Sequence, residues 1–187
     1  MTTTTPGIWL TDPTAYRKKL SEFLGSRDTL TVLAETPDVI DEIVGAHSTD
    51  VLRSRPYDGK WTPNEIIGHL LDTELVYGYR ARLILSEDEP VLVGIDQERW
   101  VAGQRHNDCD PTVLAQEFRM MREANLRFWH GVKPSDLERF GKHNERGNES
   151  LAMIREMTAG HDLWHIDQIN RYVVAVTELS SRAPHPG

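Results

Sequence analysis

The chain has 187 residues, enough to bury one substantial hydrophobic core, and its 39% hydrophobic and 27% charged residues are typical of a globular protein in water. Its 21 Lys and Arg against 29 Asp and Glu, with no basic cluster long enough to follow a phosphate backbone, argue against nucleic acid as a partner. No run approaches the roughly 20 apolar residues that span a bilayer, the single cysteine has no internal partner, and the first residues lack a signal-peptide pattern, so we expect a cytoplasmic protein that does not bind membranes.

Two helices are predicted near the start of the chain. Apolar residues at three- and four-residue steps predict a short helix over residues 13–24 and a first bundle helix over residues 29–46. Pro37 either begins or kinks the bundle helix, because proline cannot donate the backbone hydrogen bond of a helix interior. Residues 1–27 are therefore interpreted as an N-terminal extension that contains a short helix.

The second bundle helix has a strong start signal. Thr62 supplies an N-cap, Pro63 takes the first helical position, and Glu65 stands where a capping box needs a glutamate. The apolar stripe then continues to the segment SEDEP, whose acids and proline are unfavourable in a helix C-terminal turn. These features predict a helix from about residue 63 to residue 85.

Two further helices are predicted in the second half of the chain. Residues 91–110 have no sustained period, which predicts a long connection with one short helical piece, and Asp110-Pro111 then opens a helix that stops near Gly131. The segment GKHNERGNES is predicted to be a loop. The last helix begins near residue 148 or 150 and carries an apolar stripe as far as Val176.

These elements predict an all-α fold, a four-helix bundle domain over residues 28–180 with a tail at residues 181–187. We expect any strand to be confined to a short piece within residues 91–110. A sheet of three or more strands would contradict this assignment. The sequence shows no internal repeat and no sign of a second domain.

Two histidines, His161 and His165, lie four residues apart on the apolar stripe of the last helix. Four helical residues advance about 6 Å and rotate about 40°, so both imidazoles can face one ion. Hydrogen-bonded core histidines are the alternative, because polar rings in a core need partners of some kind. The pair alone leaves both interpretations open.

A third histidine, His69, favours the metal interpretation because it lies on the core-facing stripe of the second bundle helix. Three inward histidines on two helices predict a site with coordination positions left open for water or substrate, which is the form of a catalytic site. The predicted ligands are therefore His69, His161 and His165. Imidazole ligands suit zinc, nickel, iron and copper, and we favour zinc or nickel, with iron next.

Three segments, KWTPNEIIGHLLDTE, QRHNDCDP and AGHDLWHIDQI, occur in an order and spacing that resemble the DinB-like superfamily, which includes the YfiT-type metal-dependent hydrolases. The resemblance covers about residues 28–178. It implies an up-down-down-up four-helix bundle, often dimeric, whose divalent ion is held by histidines 69, 161 and 165. Some members move groups onto low-molecular-weight thiols. The resemblance therefore implies a small-molecule substrate, with such a thiol as a candidate partner and a homodimer as the expected assembly.

Two other metalloenzyme classes fit the sequence less well. A zinc peptidase needs glutamate directly after the first histidine as its general base, but this chain has Asp162 there, which is one methylene shorter and is expected to point away from the open face. A di-iron carboxylate bundle needs Glu-x-x-His pairs on facing helices, and the helices predicted here carry none.

The favoured function is that of a metal-dependent enzyme, a thiol S-transferase or a hydrolase, that uses an open metal position for Lewis-acid chemistry on a small molecule. A non-catalytic bundle that binds a metal or a small ligand is the alternative. An exchangeable water on the metal beside a cavity for an organic molecule would favour the enzyme.

Other polar and aromatic residues are assigned mainly to the scaffold. Asp72 or Glu74 could orient a ligand ring, but a salt bridge is favoured for each. The loop at residues 104–106 is interpreted as an anchor rather than a pocket mouth, and His143 as a surface residue rather than a substrate contact. Cys109 receives no catalytic part because the flanking carboxylates disfavour a thiolate. Four tryptophans are expected in the core or a pocket wall: Trp61, Trp100, Trp129 and Trp164.

Overall fold

The structure, a computed structural model, describes residues 12–182. Within this range the chain forms seven α-helices, three short strands and two 3₁₀ turns. The helices are α1 (Pro13–Leu24), α2 (Thr29–Ala46), α3 (Thr49–Arg53), α4 (Pro63–Ser86), α5 (Gln97–Gln104), α6 (Pro111–Gly131) and α7 (Leu151–Arg182). The strands are β1 (Val91–Leu92), β2 (Phe140–His143) and β3 (Gly147–Ser150), and the 3₁₀ turns are His106–Asp108 and Pro134–Asp136.

The predicted helix starts are confirmed where the capping chemistry is explicit. The Thr62 hydroxyl accepts from the Glu65 backbone N–H at 3.0 Å, and the Glu65 carboxylate accepts from the Thr62 N–H at 2.7 Å. This is the predicted capping box at the start of α4. Aspartate side chains cap α1, α2, α5 and α6 in a related way. Local capping therefore defines most of the helix starts.

The proline of α2 lies inside that helix and not at its start. Because Pro37 has no N–H, the carbonyl of Leu33 lacks the donor that it would normally find four residues later. The Arg122 guanidinium on α6 donates to this carbonyl at 2.8 Å. A side chain from a neighbouring helix thus replaces the hydrogen bond that the proline removes.

The helices α4 and α6 run in the same direction. Glu74 on α4 binds Arg122 on α6, and further along both helices Arg82 binds Asn125. Parallel neighbours cannot be joined by a short turn, so the chain needs a long crossover between them. Residues 87–110 form this crossover, which contains β1, α5 and the first 3₁₀ turn. The long connection with one helical piece is confirmed.

The remaining neighbours complete an up-down-down-up topology. α2 is antiparallel to α6, because Leu33 lies beside Arg122 whereas Asp41, further along α2, lies beside Arg119. α7 is antiparallel to α4, because His165 contacts His69 whereas His161, earlier on α7, contacts Tyr77, later on α4. The topology that the family resemblance implied is confirmed.

A polar layer divides the core of the bundle into two apolar halves. Each bundle helix contributes apolar residues to one half, then buried polar residues, then apolar residues to the other half. Thr36 on α2, Glu74 on α4, Arg122 on α6 and Asp162 on α7 are joined by hydrogen bonds in this layer. The two histidines of α7 fall in the same interruption of its apolar pattern.

A small sheet departs from the prediction. β1 pairs in parallel with β2, and β2 pairs with β3 in an antiparallel hairpin, so strands are not confined to residues 91–110. That expectation was wrong because the segment predicted as a loop closes into a hairpin, in which Gly147, the first residue after the turn, has a φ of +78°. The strands have only two, four and four residues, so the four-helix fold stands and the three-strand criterion was too strict.

The predicted short helix is present as α1, which packs along α7. Residues 1–11 of the predicted extension and residues 183–187 of the predicted tail lie outside the described residues. The domain limits at residues 28 and 180 stay predictions. Across residues 12–182, no helix is both long and apolar enough to cross a membrane.

Candidate metal centre

Three imidazoles converge between α4 and α7. His69 comes from α4, whereas His161 and His165 come from successive turns of α7, and each residue is at most 4% exposed. One candidate ligand nitrogen from each ring lies within 4.8 Å of the other two. Nε2 of His69 is 3.1 Å from Nε2 of His161. The structure therefore brings all three predicted ligands together.

These separations fit one shared divalent ion. Two nitrogens that each lie about 2.0–2.1 Å from a tetrahedral metal are about 3.3 Å apart. The distance between the His69 and His161 nitrogens, 3.1 Å, is close to this value. Among the described residues the cluster contains three histidines and neither a thiol nor a carboxylate. Such a donor set suits a borderline metal ion and leaves coordination positions for other molecules.

Burial keeps all three rings neutral. It lowers the pKa of His165 to about 4. Burial, followed by the neighbouring His165 ring, lowers the pKa of His69 and that of His161 well below the usual value near 6.5. A neutral imidazole has a free lone pair at neutral pH, as metal coordination requires.

A hydrogen bond orients His165. Its Nδ1 lies 2.9 Å from Oε1 of Gln168, whose amide NH₂ donates to the Tyr172 hydroxyl at 3.0 Å. Because the amide oxygen can only accept, Nδ1 of His165 carries the proton and the lone pair is on Nε2. No described residue accepts a hydrogen bond from Nδ1 of His69 or of His161.

Two tryptophans lie against the cluster. The Trp61 ring centroid is 4.8 Å from that of His69, and Trp164 stacks on His165 at 5.0 Å. Both rings shield the imidazoles from water and lower the local dielectric constant. The prediction that the tryptophans lie in the core or a pocket wall is confirmed for these two, and Trp129 is a core residue.

Asp162 points away from the cluster, as predicted. Its carboxylate accepts from the Arg122 guanidinium at 2.8 Å and from the Thr36 hydroxyl at 3.1 Å. Burial raises the pKa of Asp162, and Arg122 opposes that rise. The position at which a zinc peptidase carries its general base thus holds a structural residue. Glu74 binds the same guanidinium at 2.8 Å, which confirms the salt bridge predicted for it.

Asp72 holds a histidine of the crossover rather than a candidate ligand. Its carboxylate lies 2.8 Å from Nε2 of His106 and accepts from the Gln104 amide, also at 2.8 Å. The His106 ring rests against Gly68 of α4, where any Cβ would overlap it. Glycine at this position allows the crossover to approach α4 closely. The geometry agrees with the interpretation of this loop as an anchor.

A cavity of about 650 Å³ opens beside the cluster. His69 and His161 form part of its wall, and the rest comes from α1, α4, α5, the segment before α5 and the turn between β2 and β3. Its volume lies within the range of small-molecule sites. Polar residues of the wall include Tyr16, Tyr77, Arg80, Asp96, Glu98 and Arg146.

Sequence reasoning missed this cavity wall. Arg80 and Tyr77 fall within the helix predicted over residues 63–85 and Tyr16 within the short helix predicted over residues 13–24, and the sequence analysis assigned none of them to a site. An arginine at a core-facing helical position was the available signal, since arginine is almost never fully buried without a partner. The contribution of the β2–β3 turn had no such signal.

The prediction that His143 is a surface residue was wrong. His143 is 4% exposed, and its Nδ1 accepts from the Glu145 backbone N–H at 3.1 Å. Burial lowers its pKa to about 4. The residue is buried because β2 pairs with β1, which places Leu92 beside His143. Cys109 is partly exposed and does not line the cavity.

The sequence pattern of the DinB superfamily matches residues 33–169, from within α2 to within α7. The chain belongs to the DinB superfamily. Among curated relatives, "Putative metal-dependent hydrolase YfiT" of Bacillus subtilis is 24% identical over 152 residues, which cover 81% of this chain and 82% of the relative. A relative with the same functional name from Oceanobacillus iheyensis is 25% identical over 141 residues, which cover 73% of this chain and 79% of the relative.

The solved structure of B. subtilis YfiT matches this DinB-superfamily chain with a TM-score of 0.66 at 22% identity, over 82% of this chain and 85% of that one. That structure is described as a probable metal-dependent hydrolase with an unusual four-helix bundle topology. At this identity the likeness establishes the fold. The relatives are named for metal-dependent chemistry, and this chain has a three-histidine cluster that could hold a metal ion.

Proposed function

We propose that this DinB-superfamily protein is a metal-dependent enzyme, of hydrolase or thiol S-transferase type, that acts on a small molecule. The observation that carries the proposal is the convergence of three neutral, buried imidazoles, two of which line a cavity of about 650 Å³. His69, His161 and His165 are the proposed ligands of one divalent ion. Zinc or nickel is favoured and iron is the next choice, because imidazole suits all three.

The protein contributes orientation and exclusion of water. Gln168 fixes the tautomer of His165, while Trp61 and Trp164 cover faces of the cluster. The cavity gives a small molecule access to His69 and His161. When bound, a divalent ion supplies Lewis acidity toward water or a thiol, the two nucleophiles that separate a hydrolase from an S-transferase.

The proposed partners follow from the same site. A small-molecule substrate is proposed for the cavity, with a low-molecular-weight thiol as the second substrate if the enzyme is a transferase. A homodimer and a cytoplasmic location are also proposed, on the family resemblance and on the composition respectively. Light scattering tests the dimer directly.

Metal analysis of each variant, purified without an affinity tag and without chelator, tests the ligand set. We expect about one divalent ion per wild-type chain and loss of that ion in His69→Ala and in His165→Ala, with helicity retained because apolar residues hold both helices. His47→Ala, at the end of α2, is the control and keeps its metal. Full metal occupancy in His69→Ala would refute the shared site.

Turnover assays on the metal-loaded protein then separate catalysis from binding. Ester and amide hydrolysis and transfer to small thiols are measured with and without the metal. The proposal expects turnover that disappears in His165→Ala. A metal-loaded protein with no turnover across both reaction classes would instead favour the non-catalytic binding bundle.

A further inference from the structure

The wall of the cavity contains a buried arginine with few partners. Arg80 on α4 is 3% exposed, and its Nη2 donates to the Val93 carbonyl at 2.6 Å. Its guanidinium carbon lies 5.5 Å from the ring centroid of Tyr77. Nε of Arg80 has no hydrogen-bond partner among the described residues, and no carboxylate there forms an ion pair with it.

The two other guanidinium groups with which Arg80 can be compared are both neutralised. Arg122 is equally buried and contacts the carboxylates of Glu74 and Asp162, each at 2.8 Å. Arg146, also in the cavity wall, binds the fully buried Glu149 through Nε at 2.7 Å and through Nη2 at 3.2 Å. A buried cation without a contacting anion is costly, and only the carboxylates of Glu149 and Glu145, beyond ion-pair distance, oppose that cost at Arg80, so this guanidinium calls for an anion from elsewhere.

The acidic residues of the cavity wall do not supply that anion. Asp96 caps the start of α5 by accepting from the Arg99 N–H, and Glu98 accepts from the Trp61 indole N–H at 3.0 Å. Glu145 is exposed on the turn between β2 and β3 and makes no ion pair with Arg80. The cavity therefore presents one buried positive charge that the protein leaves unpaired.

We propose that Arg80 binds a carboxylate of the substrate, so that the enzyme acts on small carboxylate-bearing molecules. This inference rests on the proposed function, which places the reacting end of the substrate at the histidine cluster. A monoanionic carboxylate matches the one buried guanidinium that no carboxylate contacts, whereas Arg99, the other unpaired cation of the wall, is exposed to water.

The neighbouring phenols support an anion at this place. Burial first, and then proximity to Tyr77, raises the pKa of Tyr16 well above its usual value, and burial also raises the pKa of Tyr77. Both hydroxyls therefore stay protonated, and because they hydrogen-bond to each other, one of the two protons is left to donate to an anion. The Tyr77 ring has Arg80 over its face and its centroid 6.5 Å from that of His161. Tyr77 thus lies beside both Arg80, where the carboxylate would bind, and the histidine cluster, where the reacting end would lie.

Paired probes of nearly equal size, one a carboxylate and the other its neutral amide, test the proposal. The dissociation constants of 3-mercaptopropionate and 3-mercaptopropionamide are measured by calorimetry on the zinc-loaded protein. We expect the acid to bind at least ten times more tightly than the amide. In Arg80→Gln the ratio should fall to within twofold. The matched control is Arg99→Gln, which removes an exposed cation of the same cavity and should keep the ratio.

Equal binding of acid and amide by the wild-type protein would overturn the carboxylate assignment, and tighter binding of inorganic phosphate than of 3-mercaptopropionate would do the same. If Arg80→Gln does not fold, Arg80→Lys replaces it and should keep a preference for the acid. The same probe pair is also measured on the metal-free protein. Failure of the protein to bind zinc would end the proposed function. A preference of the metal-free protein for the acid would still support the proposal that Arg80 binds a carboxylate.

Discussion

Replacement of Arg122 by methionine should cost a large part of the stability of the bundle. Arg122 is 1% exposed, and its guanidinium contacts Glu74, Asp162 and the Leu33 carbonyl, each at 2.8 Å. Methionine fills similar space but leaves two buried carboxylates without a cation and one carbonyl without a donor. Breaking a buried ion pair typically costs about 3–5 kcal/mol. For a protein of this size the corresponding fall in Tm is roughly 6–20 °C.

The matched control is Arg119, which lies one turn before Arg122 on α6 and also contacts α2. Arg119 binds Asp38 and Asp41 on α2, but both carboxylates are exposed, by 71% and 45%. Arg119→Met should therefore cost less than about 1 kcal/mol. Urea unfolding of the metal-free proteins measures both changes. If the two variants lose equal stability, or if Glu74→Gln does not recover part of the Arg122→Met loss, the reasoning about buried charge is wrong.

Three other predictions concern the site and its support. Gln168→Leu should weaken zinc binding about 10- to 100-fold in chelator competition, because it removes the acceptor that orients His165; unchanged affinity would contradict this role. In metal-free protein the pKa of His165 is about 4 when the chain is folded and about 6.5 when it is unfolded. Because the unfolded chain binds the proton more tightly, the free energy of unfolding should rise with pH between these two values. The variant His165→Gln should show a flatter rise. Gly68→Ala should destabilise the protein through overlap with His106, whereas Gly45→Ala, where a Cβ meets nothing within 4 Å, should stabilise it by about 0.4–1 kcal/mol; denaturant melts that show no difference would contradict the packing argument.

The parts of the fold that sequence could predict are those whose chemistry is local. The N-cap residues Thr62 and Asp110 indicate the starts of α4 and α6, because a cap depends only on residues close to it in the sequence. The three histidines were found because each lies on an apolar stripe, where a polar ring needs a reason to be buried. The family resemblance then supplied the topology, which no single helix pattern contains.

The parts that sequence could not predict depend on contacts between distant segments. The β2–β3 hairpin has short strands of mostly polar residues, and it is held in place by pairing with β1 some fifty residues earlier, roughly the span of a whole crossover and helix. The contact between Arg122 and the Leu33 carbonyl also joins distant segments. That carbonyl is free only because Pro37, four residues after Leu33, has no N–H to donate to it. Neither pairing leaves a periodic signal in the chain.

The adjacency of α2 and α7 has a consequence for biosynthesis. Thr36 reaches its partner Asp162 across 126 residues, so the first helix of the bundle gains its last neighbour only when nearly the whole chain exists. At about 5–20 residues per second, a ribosome keeps the apolar face of the nascent α2 waiting for roughly 6–25 seconds. During that interval chaperones have access to this apolar face. A chain that stops before α7 cannot complete the core.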